Sequence, residues 1–219
     1  MGVENRGSEH EHDEHTGVPA GHPEKPSGEE GRTLLERMNA GKHEDLSLWG
    51  LAHLSFDGAG SALDIGCGGG ANIARLLERM PDGRVCGVDY SELSVQVSRE
   101  TNADAIAAGR CEVREGIASE LPFEDGAFDI VTAFETVYYW ELAPSFAEVL
   151  RVLRPGGTFL VCNEDDGSKP SMHEFAARIP GMVMYTGGEL KEALLDAGFS
   201  SVEVDESPDN DDIAVVAVK

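Results

Sequence analysis

Asp64, Asp89 and the glycines between them set out the chemistry open to this chain. Asp64 stands inside an apolar stretch (Ala62, Leu63, Ile65) that breaks abruptly into Gly66-Cys67-Gly68-Gly69-Gly70. Asp89 closes a second such stretch, Arg84–Val88. Glycine permits positive φ and lets a ligand come close to bare backbone. The helical pattern that begins at Ala71 would turn its first N–H groups into the same space. A strand, a tight turn and a helix start, in that order, can hold a nucleotide derivative at the carboxyl edge of a parallel sheet.

Two ligand classes use such a turn. Gly66, Gly68 and Ala71 satisfy the spacing G-x-G-x-x-G/A of a dinucleotide site, and Asp89 lies near the ~20-residue offset of its ribose-binding acid. Asp64 argues for the other class. A carboxylate close to a pyrophosphate is repelled, whereas S-adenosylmethionine carries a sulfonium and an α-ammonium that a carboxylate attracts. A glycine-rich turn that holds no ligand is the third reading of the same residues. For proton transfer the candidates are Glu135, Tyr139 and His43.

These residues need a frame, and the pattern supplies one. A helix over Ala71–Met80 follows the glycines, Pro81-Asp82-Gly83 turns the chain, and Arg84–Val88 reads as a buried strand. Ser91 caps a helix that runs to about Ala108. Cys111–Glu115 is a short strand, and Phe128–Ala133 is apolar without a break, as a central strand covered on both faces must be. Phe134, Glu135, Tyr138, Tyr139 and Trp140 follow it, as a pocket wall or as core. A helix from Phe146 meets a sharp turn at Arg154-Pro155-Gly156-Gly157 before the strand Thr158–Cys162. Met172–Met184 reads as a mobile cover. A helix over Glu189–Ala197 is closed by Gly198, and Val202–Val204 with Ile213–Val218 forms an antiparallel hairpin. Strands and helices alternate throughout, so the fold class is an α/β open sheet with helices on both faces.

Ahead of the first strand, Leu34, Leu35 and Met38 share a helical face, and a second short helix carries Leu46, Trp49, Leu51 and Leu54. That helix is expected across the start of the sheet, and the whole segment as a lid over the glycine turn, with His43 and His53 at its flanks. Residues 1–31 differ. They hold His10, His12, His15 and His22 with eight acids and almost nothing apolar, a composition that cannot offset its ordering entropy. A disordered acidic tail is expected there, with weak metal binding at His10–His15 as the sharper alternative.

Across all 219 residues the net charge is −24, which repels nucleic acid. No apolar run approaches the ~18 residues of a membrane span, and the acidic amino terminus is unlike a signal peptide. Cys67, Cys86, Cys111 and Cys162 show no metal-ligand spacing and read as buried residues of a reducing compartment, with Cys67 a possible exception because it sits in the glycine turn. The expectation is one cytoplasmic domain over 32–219, no resident metal, and neither a nucleic-acid nor a membrane partner.

Leu63-Asp64-Ile65-Gly66-Cys67-Gly68-Gly69-Gly70, Asp89, Leu121-Pro122-Phe123, Phe128-Asp129-Ile130-Val131 and Leu153-Arg154-Pro155-Gly156-Gly157 together resemble a class I S-adenosylmethionine-dependent methyltransferase. The subgroup they look most like is that of the small-molecule enzymes of ubiquinone and menaquinone biosynthesis. The resemblance covers most of residues 60–160 and implies a Rossmann-like sheet of seven strands, mostly parallel, with the terminal hairpin antiparallel. It implies that Gly66 and Gly68, with Cys67 between them, hold the methionine moiety and that Asp64 lies near its ammonium. Asp89 would bind the ribose and Tyr90 would lie against the adenine. Ala118 would offer its N–H to the adenine edge, and Phe134 its carbonyl to the amino group. One position departs: Ile117 stands where the family often has an aspartate for the adenine amine. The Asn-Pro-Pro-Tyr signature of nitrogen acceptors and the cysteine set of arsenic methyltransferases are both absent. Methyl transfer to a small-molecule acceptor follows as the implied function, with a non-catalytic S-adenosylmethionine-binding module as the alternative.

Overall fold

The computed structural model describes residues 24–208 and 210–219. Seven strands form one sheet: β1 (Ser61–Ile65), β2 (Arg84–Asp89), β3 (Cys111–Glu115), β4 (Phe128–Phe134), β5 (Leu153–Asn163), β6 (Ser201–Glu206) and β7 (Ile213–Val218). Their order is β3-β2-β1-β4-β5-β7-β6, parallel except at β7, which runs antiparallel to both neighbours. The chain winds outward from β1 to β3, then restarts on the other side at β4. The crevice between the carboxyl ends of β1 and β4 is therefore the switch point where an open α/β sheet takes its ligand.

The helices are α1 (Gly28–Arg37), α2 (Glu44–Leu51), α3 (Ala71–Arg79), α4 (Glu92–Thr101), α5 (Ala103–Ala107), α6 (Leu142–Val152), α7 (Pro170–Ala176) and α8 (Gly187–Ala197). Local chemistry explains their ends. Ser91 Oγ accepts the Ser94 N–H at the start of α4, and Thr186 and Glu189 exchange bonds in a full capping box on α8. Gly198 closes α8 at φ +106°. One core cluster packs α6 and α8 on one face of the sheet through Phe146, Phe159 and Leu194; another packs α3 and α4 on the opposite face through Ile73, Leu76 and Val95.

Three expectations need correction. The helix drawn to Ala108 breaks at Asn102, whose side chain turns back to donate to the carbonyls of Gly70 and Ser98, both at 3.0 Å. An asparagine that can bond locally competes with the helix ladder, and this one stabilises the glycine turn instead. The boundary at residue 31 falls inside α1, and Pro26 is buried with its carbonyl accepting the Ser91 hydroxyl at 3.1 Å. Residues 24–31 thus pack through backbone and proline rather than through apolar side chains, which composition does not reveal. Residues 1–23, including the four tail histidines, lie outside the described residues. Finally, α2 lies on the carboxyl half of the sheet: Cys162 Sγ sits 3.7 Å from the Leu46 carbonyl, and a Cβ on Gly50 would be 3.1 Å from Cys162 Cβ.

Candidate active site

The glycine turn is shaped from several sides. Gly66 has φ +71°, and a side chain there would collide with Thr136. The amide N–H groups of Gly66 and Cys67 both donate to the Val88 carbonyl, at 2.8 and 3.1 Å, and that of Gly68 donates to Asp89 Oδ2 at 2.9 Å. These three N–H groups are engaged within the protein, so this part of the turn offers a ligand close approach rather than free donors. Asp89 Oδ1 accepts the Ser91 N–H at 2.9 Å. Burial pushes the Asp89 carboxyl up, and the N–H groups of Ser91 and Gly68 pull it back.

A cavity of about 750 Å³ opens at the carboxyl ends of β1, β2 and β4. Gly66, Gly68, Asp89, Tyr90, Ile117, Ala118 and Phe134 line it, as do His43, Glu135 and Tyr139. Ile117, in place of the family's aspartate, is 49% exposed at the rim. One face of Tyr90 is taken by Lys25, whose Nζ lies 5.4 Å from the ring centre.

Asp64 and Cys67 do not line the cavity. Asp64 is 2% exposed beneath the turn, where Thr132 of the neighbouring strand donates its hydroxyl to Oδ1 at 2.7 Å. Burial raises its carboxyl to about 7 against the lowering effect of that hydroxyl. The Cys67 side chain is buried with Sγ 3.8 Å from Ser98 Oγ, so the turn directs it into the core.

The amino-terminal segment packs beside the turn. Leu34, Leu35 and Met38 reach the cavity, and Asn39 Nδ2 donates to the Gly69 carbonyl at 2.8 Å. Between α1 and α2 a π-helical stretch, Met38–Lys42, ends at Gly41 with φ +110° and delivers His43 to the far wall.

On that wall stands Glu135, the one non-glycine among the described residues with positive φ, at +55°. Such a backbone costs roughly 1–2 kcal/mol for an L-residue, and it aims the carboxylate back over the sheet edge. Glu135 Oε1 accepts the Tyr138 hydroxyl at 3.0 Å and the Glu164 N–H at 2.6 Å. Burial raises Glu135 to about 7, with the Glu164 charge adding to the effect. His43 Nδ1 lies 2.7 Å from Glu164 Oε1, out of line for a hydrogen bond. Tyr139 sits in the same cavity, its phenol pushed up to about 12 by burial.

Among the described residues the cavity wall carries Glu24, Asp89, Glu135, Glu141, Glu164 and Asp165 and no lysine or arginine. Sequence reasoning missed Glu164 and Asn39, each of which acts on a partner distant in the chain and sits in no motif.

Residues 63–161 match the family model described as a methyltransferase domain. An O-methyltransferase of Penicillium expansum is 30% identical over 152 residues, 68% of this chain and 55% of that protein. A demethylmenaquinone methyltransferase of Symbiobacterium thermophilum is 35% identical over 135 residues, 61% of this chain and 53% of that protein. The chain spans about half the length of the curated relatives it matches. The structure of an S-adenosylmethionine-dependent methyltransferase from Aquifex aeolicus superposes with a TM-score of 0.68 at 18% identity, covering 85% of this chain and 97% of that one. That likeness is one of fold.

Proposed function

We propose that this chain, whose residues 63–161 carry a methyltransferase domain, transfers the methyl group of S-adenosylmethionine to a small-molecule acceptor by in-line displacement. One observation carries the reading. Asp89 and the bare Gly66–Gly68 backbone line the same cavity as Glu135 and His43.

The residues fit the cofactor. The Asp89 carboxylate is held by the Gly68 and Ser91 N–H groups and lines the cavity, an acceptor that suits ribose hydroxyls. The open face of Tyr90, with Ile117 and Ala118 at the rim, suits an adenine, and the Phe134 carbonyl suits the methionine ammonium. Asp64 stands beneath the turn with its carboxyl raised to about 7 by burial, and Cys67 contributes only its backbone. S-adenosylmethionine arrives with an activated methyl group, so the work of the chain is alignment and exclusion of water. The α1–α2 segment supports the second task. Glu135 and His43 stand at the acceptor end, with Tyr139 as the further candidate there.

One curated relative is named a demethylmenaquinone methyltransferase, which supports a small-molecule acceptor here, and another an O-methyltransferase, which names only the acceptor atom. Four free cysteines among the described residues suit a reducing cytoplasm. Among the described residues no helix is long and apolar enough to cross a membrane.

Calorimetry with S-adenosylhomocysteine tests the reading. Asp89→Ala is expected to weaken binding by roughly 1.5–3 kcal/mol, the scale of hydrogen bonds to a charged group. Unchanged affinity in a folded variant would overturn the ribose assignment, and no binding by the native chain at millimolar ligand would remove the cofactor. Product in an acceptor screen would exclude the binding-module alternative.

A further inference from the structure

We infer that His43, Glu135 and Glu164 form a site for a first-row divalent metal ion at the acceptor end of the cavity. Each offers one ligand atom, and the three atoms lie within 4.8 Å of one another. They come from three separate places in the chain: the N-cap of α2, the turn after β4 and the residue after β5. Nothing local brings them together. The fold does so by laying α2 across the carboxyl end of β5.

The chemistry of the set is that of a metal centre. One imidazole and two carboxylates suit ions such as Mn²⁺, Fe²⁺ or Zn²⁺, and three protein ligands leave positions open for a substrate oxygen. Glu135 and Glu164 set two carboxylates beside one imidazole, a concentration of negative charge that suits a divalent cation. The supporting bonds are those a ligating carboxylate needs: the Tyr138 hydroxyl and the Glu164 N–H both fix Glu135 Oε1, leaving Oε2 for the ion. His43 occupies the N-cap of α2 without capping it. Its Nδ1 is buried, has no aligned hydrogen-bond partner and points at Glu164. The left-handed backbone at Glu135 is the conformational cost of presenting that carboxylate to the other two.

The use of such an ion rests on the methyl-transfer reading, although the site itself does not. An acceptor hydroxyl bound to it would lose its proton to water more readily. The oxygen lone pair would then form the new C–O bond while the C–S bond breaks. Its electrons go to sulfur, which becomes a neutral thioether.

The test uses the full chain with His10→Ala, His12→Ala, His15→Ala and His22→Ala, so that the tail offers no imidazole. Electron paramagnetic resonance follows Mn²⁺ uptake, and calorimetry with S-adenosylhomocysteine is run on the same samples. About one bound ion per chain is expected, with affinity falling roughly 100-fold or more in Glu164→Gln and in His43→Ala, beyond the 10–100-fold typical of losing an outer-shell partner. Glu164 is half-exposed, so its glutamine variant should fold, and its thermal melt checks this. No uptake by the parent at millimolar Mn²⁺ would overturn the site, and so would undiminished affinity in folded variants. Uptake lost in the variants without any S-adenosylhomocysteine binding by the parent would uphold the metal site and remove the cofactor reading instead.

Discussion

At the scale of single residues the candidate site is a set of buried carboxylates whose charge is managed by different means, and Asp64 is the one with a clear pH signature. Burial lifts it to about 7 from an ordinary value of 3.8. The native state therefore holds a proton that the unfolded chain has released between those values. The stability contributed is fully present below about pH 4 and is lost as the pH climbs through about 7. Asp64→Asn keeps an acceptor for Thr132 but has no proton to lose. Urea midpoints of the native chain are expected to fall relative to this variant between about pH 4.5 and 7.5. Parallel curves would mean that Asp64 is ionised in the folded protein throughout. Asp64, Asp89 and the glycines were legible in the sequence because strand, turn and helix start are local events. The site at the other end of the cavity was half legible. Glu135 and His43 showed as titratable residues near aromatic or helical patterns, but their meeting with Glu164 depends on where α2 lands, which no spacing encodes.

Among the elements, the α1–α2 segment supplies Leu34, Leu35, Met38 and His43 to the cavity wall. Asn39 is its clasp, donating to the Gly69 carbonyl at 2.8 Å and to Thr101 Oγ1 at 3.1 Å. Asn39→Ala is expected to cost about 1 kcal/mol of S-adenosylhomocysteine affinity and to speed proteolysis around 38–43. Unaltered cleavage would show that the segment holds its place without the clasp. Pro26 anchors the same segment to Ser91. A chain shortened by residues 1–31 should therefore bind S-adenosylhomocysteine several-fold more weakly than one shortened by residues 1–23, read by calorimetry, and equal affinities would show that α1 needs neither its first turn nor Pro26. Hydrophobic periodicity marked the packed segment but placed its edge too late, because glycine and proline packing leaves no apolar pattern to read.

For the molecule as a whole, the alternation of strands and helices was enough to give the sheet and its terminal hairpin, since each strand carries its own burial pattern and turn residues. The net charge of −24 is a property of no single element. Self-repulsion on that scale weakens the compact state, and added salt screens it. Raising ionic strength from about 0.05 to about 0.5 M should raise Tm by several degrees in scanning calorimetry. A flat or falling Tm would mean that the acids are already offset pairwise. The sheet also has a chronology. β7 lies between β5 and β6 yet follows both along the chain. Until residues 213–218 take their place, β5 and β6 each present an unpaired edge, the kind of surface on which chains adhere to one another. The cavity walls thus precede the keystone of the sheet along the chain, and the molecule is most exposed to its own kind in the interval before that strand closes the gap.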